Sequence, residues 1–201
     1  LRPVTSYTAD VVWRQTATFP APEAQQAVAA TTTDVYAIAS RSIARYDRQS
    51  RKRIAVSQGD ATHLNSGFFW KDRLYCAHSN YPEVPELSQI FVLDPVAMRL
   101  SPLKDFGYYG GSLTWVVRHA GHWWCNFARY GAHNRETFLV QFDDAWRELR
   151  RWTYPEAVMR RVGRYSLSGG VWHHDALLTT DHDHPRLYRL RVPSTGNVLE
   201  L

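Results

Sequence analysis

The sequence predicts an all-β fold built from a repeated module, and three observations support this. Short apolar runs alternate with tight polar turns along the 201 residues, a pattern typical of β-hairpins. The eight Trp and eleven Tyr suit strands, where aromatic side chains pack on a pleated surface. The clearest copy of the pattern covers residues 64–94, and three further copies are found in the chain.

The first predicted strand stands apart from these copies. Residues 11–19 form a β-rich run that ends at Pro20 and Pro22, because proline cannot donate to a strand ladder. This run resembles the last strand of each copy more than the first. We therefore expect it to act as a closing strand.

Each copy contains four strands in the same order. The first strands are predicted at Gln26–Thr32, Leu64–Trp70, Leu113–Arg118 and Leu167–Trp172, and the second at Val35–Ala39, Leu74–His78, Trp123–Phe127 and Ala176–Thr180. The third strands are predicted at Ile43–Tyr46, Gln89–Leu93, Phe138–Phe142 and Leu187–Leu190, and the fourth at Arg53–Ser57, Arg99–Leu103, Glu148–Thr153 and Val198–Leu201. Polar turns such as Lys71-Asp72 separate the first strand from the second. The best helical segment is short, at residues 156–161.

The spacing of the copies identifies the architecture. The first strands begin 38, 49 and 54 residues apart (26 to 64, 64 to 113 and 113 to 167). Four short strands in about 40 to 50 residues are typical of a β-propeller blade. A β-sandwich also strings short strands together, but it lacks a four-strand module that realigns with itself. We predict one propeller domain over residues 1–201, with a closing strand at 11–19 and blades at 25–59, 63–106, 112–154 and 166–201.

The ends of the chain leave two arrangements open. The fourth copy already has its own outer strand, so the strand at 11–19 either adds a fifth strand to that blade or pairs with a further blade beyond the sequence. We favour the missing fifth blade because the chain ends within a strand, at Glu200 and Leu201. It also opens at Leu1 rather than Met, so we expect an upstream segment.

The charge and the hydrophobicity of the sequence limit the classes of partner that we expect. The net charge is +5, from 24 basic and 19 acidic residues, but Arg residues are spread over every segment instead of forming a stripe, so no nucleic-acid partner is expected. No apolar run approaches the roughly 18 residues of a membrane helix, so no membrane is expected. Cys76 and Cys125 occupy equivalent positions in neighbouring copies, too far apart for a disulfide, and are predicted to be buried free thiols. Secreted or periplasmic placement is slightly favoured over a cytoplasmic one.

The propeller prediction locates a binding site without any motif. Loops that enter the first strands and loops that leave the second strands open on one face, around the mouth of a central channel. A rigid scaffold holds such loops while their backbone stays accessible. We therefore expect ligand-contacting residues in these loops.

Histidines are concentrated there. His63 enters the second copy, His78 ends its second strand, Asp181 and His182 end the second strand of the fourth copy, and Gln25 enters the first copy. Converging imidazole and carboxylate groups could hold a divalent metal such as Mn, Ca or Zn. These five residues are the predicted ligands. The alternative is that each is an ordinary hydrogen-bonded loop residue, because ligands from different blades leave no diagnostic spacing.

Other residues at the mouth suit an anionic ligand. Arg41 and Arg129 occupy equivalent places and could clamp a carboxylate, while His133 or Tyr130 could carry a proton. The predicted substrate-binding residues are Arg41, Asn80, Tyr81, Tyr109 and Arg129.

Two other chemistries receive less support. A Ser/His/Asp triad can be drawn with Ser166 or Ser168, but the chain contains no Gly-x-Ser-x-Gly elbow. A glycosidase needs two well-placed carboxylates, and the mouth offers only Asp181 and Asp183, both from one loop.

The chain resembles bacterial β-propeller proteins in general, on the third-strand endings at residues 90–94 and 187–196. The group His63, His78 and His182 with Gln25 is similar to oligogalacturonate-lyase propellers, which hold a divalent metal with three His and one Gln. The chain also resembles lactonase and cycloisomerase propellers in its general repeat pattern. The resemblance implies a metal at the channel mouth.

Two hypotheses about function follow. In the first, the protein is a metal-assisted lyase, hydrolase or isomerase that acts on a small anionic molecule or sugar acid. In the second, it is a non-catalytic propeller that binds a protein or a glycan through the same face, which is rich in Tyr and Arg.

Overall fold

The structure is a computed structural model and describes residues 14–15 and 17–201. The described chain forms fifteen strands in four antiparallel sheets. Blade 1 contains β1 (Ala27–Ala30), β2 (Asp34–Ile38), β3 (Ile43–Asp47) and β4 (Arg53–Val56), and blade 2 contains β5 (Leu64–Trp70), β6 (Arg73–Ser79), β7 (Leu87–Asp94) and β8 (Arg99–Tyr108). Blade 3 contains β9 (Ser112–His119), β10 (His122–Ala128), β11 (Phe138–Phe142) and β12 (Glu148–Thr153), and blade 4 contains β13 (Leu167–His173), β14 (Ala176–Asp181) and β15 (Leu187–Leu190). Within each sheet the strands follow in chain order, so the predicted four-bladed β-propeller is confirmed.

Tight turns fix the register of the inner hairpins. Lys71 and Asp72 have φ of 45° and 59°, and Ala120 and Gly121 have φ of 48° and 79°. Two successive left-handed residues are typical of type I′ turns, which match the twist of the flanking strands. They pair Trp70 with Arg73 in blade 2. The turns predicted at these positions are confirmed.

The outer strand of blade 4 differs from the prediction. Residues 198–200 occupy that position, but they form isolated bridges instead of a strand, Arg191 with Glu200 and Val198 with Thr153 of blade 3. Leu199 is buried in the seam between the two blades. Because the segment pairs with both blades at once, it cannot extend a ladder along β15.

The predicted closing strand falls largely outside the described residues. Residues 11–13 and 16 are outside them, and residues 14–15 and 17–19 have no regular secondary structure. Phe19 packs its ring against Tyr46, with centroids 5.6 Å apart. This segment therefore covers part of the face of blade 1 that is turned away from blade 2.

Two short helices lie in connections. The helix α1 (Glu156–Met159) follows β12, where the sequence has its best helical segment, and a 3₁₀ helix at Gly131–Glu136 joins β10 to β11. Among the described residues, no helix has the length and apolar character needed to cross a membrane.

Apolar side chains fill the seams between consecutive blades. Ile38 and Ile43 of blade 1 pack with Leu64, Leu74 and Cys76 of blade 2. The seam between blades 2 and 3 is built mainly from aromatic side chains and contains the second cysteine, Cys125. Both cysteines are buried and free, as predicted.

Blades 4 and 1 face each other across a groove of about 490 Å³. The groove is bounded by parts of β1, β5, β13, β14 and β15, and its lining includes Val28, Phe68, Val171, Leu178 and Leu187. The inner strands of blades 1, 2 and 4 therefore border one common space.

The seam between blades 3 and 4 depends on a large residue placed against a small one. Trp115 is fully buried, and its ring lies against the backbone of Gly170 in β13. A Cβ at position 170 would lie 2.6 Å from the ring, closer than van der Waals contact allows. Glycine at this position lets the two inner strands approach each other.

Replacing Gly170 with Ala should lower the free energy of unfolding by about 1 to 3 kcal/mol, the usual cost of overpacking. The reason is that Trp115 is enclosed on all sides and cannot move away. Urea unfolding followed by Trp fluorescence measures the change.

The matched control is Val171→Ala in the same strand, whose side chain is half exposed and should change stability by no more than about 0.5 kcal/mol. Equal stability of Gly170→Ala and wild type would contradict the close packing.

Candidate functional site

A cavity of about 390 Å³ opens at the mouth of the central channel. Every blade contributes to its wall, which is lined by Gln25, Gln26, His63, Asn65, Ser66, Tyr81, Thr114, Tyr130, Tyr165, Ser168 and His182. This volume is within the range of about 300 to 1,000 Å³ that is typical of small-molecule sites.

The structure brings five of the predicted site residues together in this wall. They are Gln25, His63, Tyr81, Tyr130 and His182. The loops that enter first strands supply Gln25 and His63, whereas the loops that leave second strands supply the other three. The face expected from propeller geometry is therefore the face on which this cavity opens.

Polar residues on the inner strands form the floor of the cavity. Asn65, Thr114 and Ser168 each follow the first leucine of an inner strand, in blades 2, 3 and 4. The pairing of β5 with β6 and of β13 with β14 shifts at Asn65 and at Ser168. Such bulges turn a side chain away from its regular direction.

Two of these floor residues also join neighbouring blades. Asn65 Nδ2 donates to the carbonyl of Leu113, at 2.8 Å, and Thr114 Oγ1 donates to the carbonyl of Leu167, at 2.8 Å. Both Asn65 and Thr114 are almost entirely buried. The floor is therefore held in place by the same bonds that connect the blades.

Three tyrosines form the upper wall. The ring centroids of Tyr81, Tyr130 and Tyr165 lie 5.7, 6.2 and 6.0 Å apart in the three pairs, with each pair close to perpendicular. This edge-to-face arrangement is favourable for aromatic rings. The rings contact one another, so they leave no room for a cation between them.

Two phenol groups of this cluster, those of Tyr81 and Tyr130, stay protonated near neutral pH. A hydrogen bond with Tyr165 raises the pKa of Tyr81, with burial adding to it. Burial also raises the pKa of Tyr130 to about 12. The hydroxyl of Tyr130 can therefore donate a hydrogen bond to a ligand, whereas that of Tyr81 is already bonded with Tyr165.

Two histidines flank the tyrosines. His63 lies beside Tyr81, with ring centroids 5.2 Å apart, and burial lowers the pKa of His63. His182 lies beside Tyr165, at 4.9 Å, and its Nδ1 is 2.8 Å from Oδ1 of Asp183.

His78 has a different position from the one predicted for a metal ligand. Its Nε2 accepts the backbone N–H groups of Thr62 and His63, at 3.1 and 3.2 Å. The imidazole is buried, and it is not part of the cavity wall. His78 therefore fixes the loop that enters β5.

Asp181 fixes the entering loop of blade 4, as His78 fixes that of blade 2. Its Oδ1 accepts the backbone N–H groups of Gly163 and Asp183, at 3.2 and 3.0 Å, and its Oδ2 lies 3.0 Å from Nδ1 of His184. The carboxylate is fully buried and fixes the loop that enters β13. The aligned positions 78 and 181 thus have the same structural role.

The remaining predicted residues lie away from the cavity wall. Asn80 bonds with the backbone of Pro85 and Leu87, and Arg129 donates to the carbonyl of Gly110. Each of these two side chains closes a loop, which the sequence alone does not show.

Tyr109, His133 and Arg41 are also elsewhere. Tyr109 packs on Phe127 and bonds with Glu148, within the seam of blades 2 and 3. His133 is exposed and paired with Glu136. Arg41 is exposed in the turn after β2.

The structure places only three of the five predicted metal ligands in the cavity wall. Among residues 14–15 and 17–201, no three His, Cys, Asp or Glu side chains are grouped so that they could hold an ion. His78 Nε2 and Asp181 are already bonded to backbone N–H groups, which leaves Gln25, His63 and His182 at the cavity.

The sequence prediction missed six lining residues, Gln26, Asn65, Ser66, Thr114, Tyr165 and Ser168. One signal could have identified three of them. A polar residue follows the first leucine of three inner strands, at positions 65, 114 and 168, where an apolar residue would be expected in a core strand. Tyr165 lies one residue before the aligned entering position, and nothing in the sequence distinguishes it.

Burial of His78 predicts a loss of stability in acid. Desolvation, with a smaller effect of the neighbouring His63, lowers the pKa of His78 from 6.5 to about 4. As the pH falls from 6.5 towards 4, the unfolded chain binds a proton here and the folded chain does not. The free energy of unfolding should therefore fall over this window, by roughly 2 to 3 kcal/mol.

Urea unfolding at about pH 7 and about pH 4.5 tests this for wild type and His78→Gln. The variant keeps an acceptor for the backbone but cannot titrate, so it should lose roughly 2 kcal/mol less than wild type between the two pH values. His174→Asn, at a turn with φ of 53° that suits asparagine, is the control and should match wild type. The same loss in His78→Gln as in wild type would overturn the assignment.

Comparisons with known proteins concern only the fold. No protein-family model matches the sequence, and no curated protein matches it. Among solved structures 239 chains match. The computationally designed Ika4 protein has a TM-score of 0.48 at 10% identity, covering 84% of this chain and 93% of that chain. Hydrazine synthase of Kuenenia stuttgartiensis has a TM-score of 0.52 at 10% identity, covering 79% of this chain and 49% of that chain, about half of its length. At this identity a shared fold does not indicate a shared activity.

Proposed function

We propose that this protein binds a neutral carbohydrate, of one or two sugar units, in the cavity at the channel mouth. The observation that carries the proposal is the chemistry of the cavity wall. It combines three tyrosines with two glutamines, an asparagine, two serines and a threonine. This lining belongs to the glycan-binding alternative that the sequence left open.

The lack of permanently charged side chains among the described lining residues supports a neutral ligand. No Asp, Glu, Lys or Arg is among the described residues of the wall. A carboxylate buried in such a site would lose its hydration without gaining a cation, which is costly. The arginines expected to clamp an anion, Arg41 and Arg129, lie elsewhere.

Sugars have the complementary chemistry. Each hydroxyl group both donates and accepts hydrogen bonds, and amide and hydroxyl side chains do the same. The C–H face of a sugar ring is apolar and packs well on an aromatic ring. The tyrosine cluster supplies that surface and also supplies hydroxyl donors.

The wall is also well ordered before a ligand arrives. Asn65 and Thr114 are fixed by hydrogen bonds to the next blade, and the tyrosines support one another. Prior ordering of the site lowers the entropy cost of binding. A sugar site needs this because each hydroxyl group gains little when it exchanges water for protein.

The first experiment screens the purified protein on an array of glycans and then measures the affinity of a bound mono- or disaccharide by titration calorimetry. We expect a neutral saccharide to bind, and Tyr165→Ala to weaken it at least tenfold by removing the stacking surface. Tyr108→Ala is the matched control, because Tyr108 is exposed on the outer strand of blade 2 and should leave the affinity unchanged.

A paired measurement with glucose and glucuronate, or with the corresponding pair for the sugar found on the array, separates neutral from acidic ligands. Stronger binding of the acidic member would overturn the neutral-ligand proposal in favour of a sugar acid. Failure to bind any saccharide, or equal binding by Tyr165→Ala and wild type, would refute a carbohydrate site.

A further inference from the structure

One residue of the cavity wall has the geometry of a general base. His182 lines the cavity, and its Nδ1 lies 2.8 Å from Oδ1 of Asp183. An ionised carboxylate can only accept, so Nδ1 carries a proton, and in the neutral imidazole Nε2 then holds the lone pair that a base uses. The imidazole also contacts the ring of Tyr165, which limits its rotation.

Asp183 is itself fixed in place. Its Oδ2 accepts the backbone N–H of Tyr165, at 3.0 Å, and its own backbone N–H donates to the buried carboxylate of Asp181. A side chain at position 163 would overlap the carboxylate of Asp183, so Gly163 is required beneath it. Although burial opposes it, the hydrogen bonds from His182 and from the Tyr165 backbone lower the pKa of Asp183.

These contacts connect the buried anchor of the loop to the imidazole at the cavity in a series of hydrogen bonds. Asp181 holds the backbone of Gly163 and Asp183, Asp183 holds His182, and His182 faces the cavity. Acid–base catalysis requires a base with a fixed orientation. Here a second group sets that orientation, and the second group is itself held in place.

The rest of the wall limits which reaction the base could serve. Phosphoryl transfer would need cations, and glycoside cleavage would need two carboxylates at the bond, and neither is among the described lining residues. Cleavage of a neutral ester needs a base and hydrogen-bond donors for the developing oxyanion. The protonated phenol of Tyr130 and the hydroxyl of Tyr165 are such donors.

We propose that the channel mouth is a hydrolytic site for an ester-linked acyl group on the bound carbohydrate, with His182 as general base and Asp183 as the residue that positions it. The proposal rests on the proposed carbohydrate site and adds a reaction to it.

The step balances without any further reagent. Nε2 of His182 accepts a proton from water as the water oxygen forms a bond with the ester carbonyl carbon. The tetrahedral intermediate breaks its C–O bond to the sugar, and the imidazolium returns the proton to the departing sugar oxygen. The products are the free sugar hydroxyl and a carboxylic acid, which ionises in solution, and nothing is oxidised or reduced.

The test uses the full chain with glucose pentaacetate and p-nitrophenyl acetate as probes, and measures released acetate and nitrophenolate. We expect wild type to hydrolyse the acetylated sugar. His182→Ala should lower kcat at least about 100-fold, the usual size of a general-base contribution. Asp183→Asn should lower kcat, by up to about 10⁴-fold, with KM changed less than about twofold, because it affects orientation and not binding.

Imidazole separates a catalytic role of His182 from a structural one. Free imidazole in the buffer should restore part of the activity of His182→Ala and should not affect Asp183→Asn to the same extent, because only the first variant has space for it. His174→Asn, on the opposite face, is the control and should hydrolyse the probe as wild type does.

Three results would overturn the inference. They are no acetate release above that of buffer, full activity in His182→Ala, and unchanged activity in Asp183→Asn. If neutral saccharides bind but the acetylated sugar is not hydrolysed, the hydrolytic inference fails and the binding proposal stands. If neither occurs, both fail.

Discussion

The ring of blades depends on the hydrogen bonding of the carbonyl groups at the start of the inner strands. Where these strands converge on the axis, backbone carbonyls are removed from water and need partners, since an unpaired buried carbonyl costs about as much as a lost hydrogen bond. Asn65 of blade 2 satisfies the carbonyl of Leu113, and Thr114 and Asn126 of blade 3 satisfy that of Leu167. Tyr154 then bonds the amide oxygen of Asn126. The polar character of the channel is therefore a requirement of the fold.

That requirement also explains why amides and hydroxyls predominate in the described wall of the site. Amides and hydroxyls can bridge two blades and still line a cavity, because each has both donor and acceptor capacity. A charged side chain in the same place would need its own partner in a region with little water. The fold thus provides a rigid hydrogen-bonding surface, which is the kind of surface that the proposed sugar ligand needs.

The sequence predicted the positions of the strands better than it predicted which loop side chains face the channel. Strand positions follow from the alternation of apolar runs and turns, which is local. Whether a loop residue faces the channel depends on its neighbours in space. His78 and Asp181 align across copies because each accepts backbone N–H groups of the loop that enters its own blade. The repeated polar position that the sequence shows is thus, in the structure, the position of a loop anchor.

The outer edge of blade 4 shows the same limit. The sequence of residues 198–201 is as suited to a strand as that of other fourth strands, but the segment divides its bonds between Arg191 and Thr153. Leu199 is drawn into the apolar seam, where it packs in the same cluster as Trp152. Packing in this seam therefore outweighs the extension of a ladder.

Blade 4 differs in sequence from the other blades, and this difference places the histidine–carboxylate pair at the channel mouth. Blade 4 has a small inner strand, with Gly169 and Gly170 beside Ser168, and Trp115 of blade 3 fills the space. In its outgoing loop the anchor Asp181 is followed by His182 and Asp183, and the loop folds back over Gly163. In blade 2 the equivalent anchor, His78, is followed by Ser79 and Asn80, and neither lines the cavity. The proposed base therefore lies in a loop that has two carboxylates, one to fix the backbone and one to orient the imidazole.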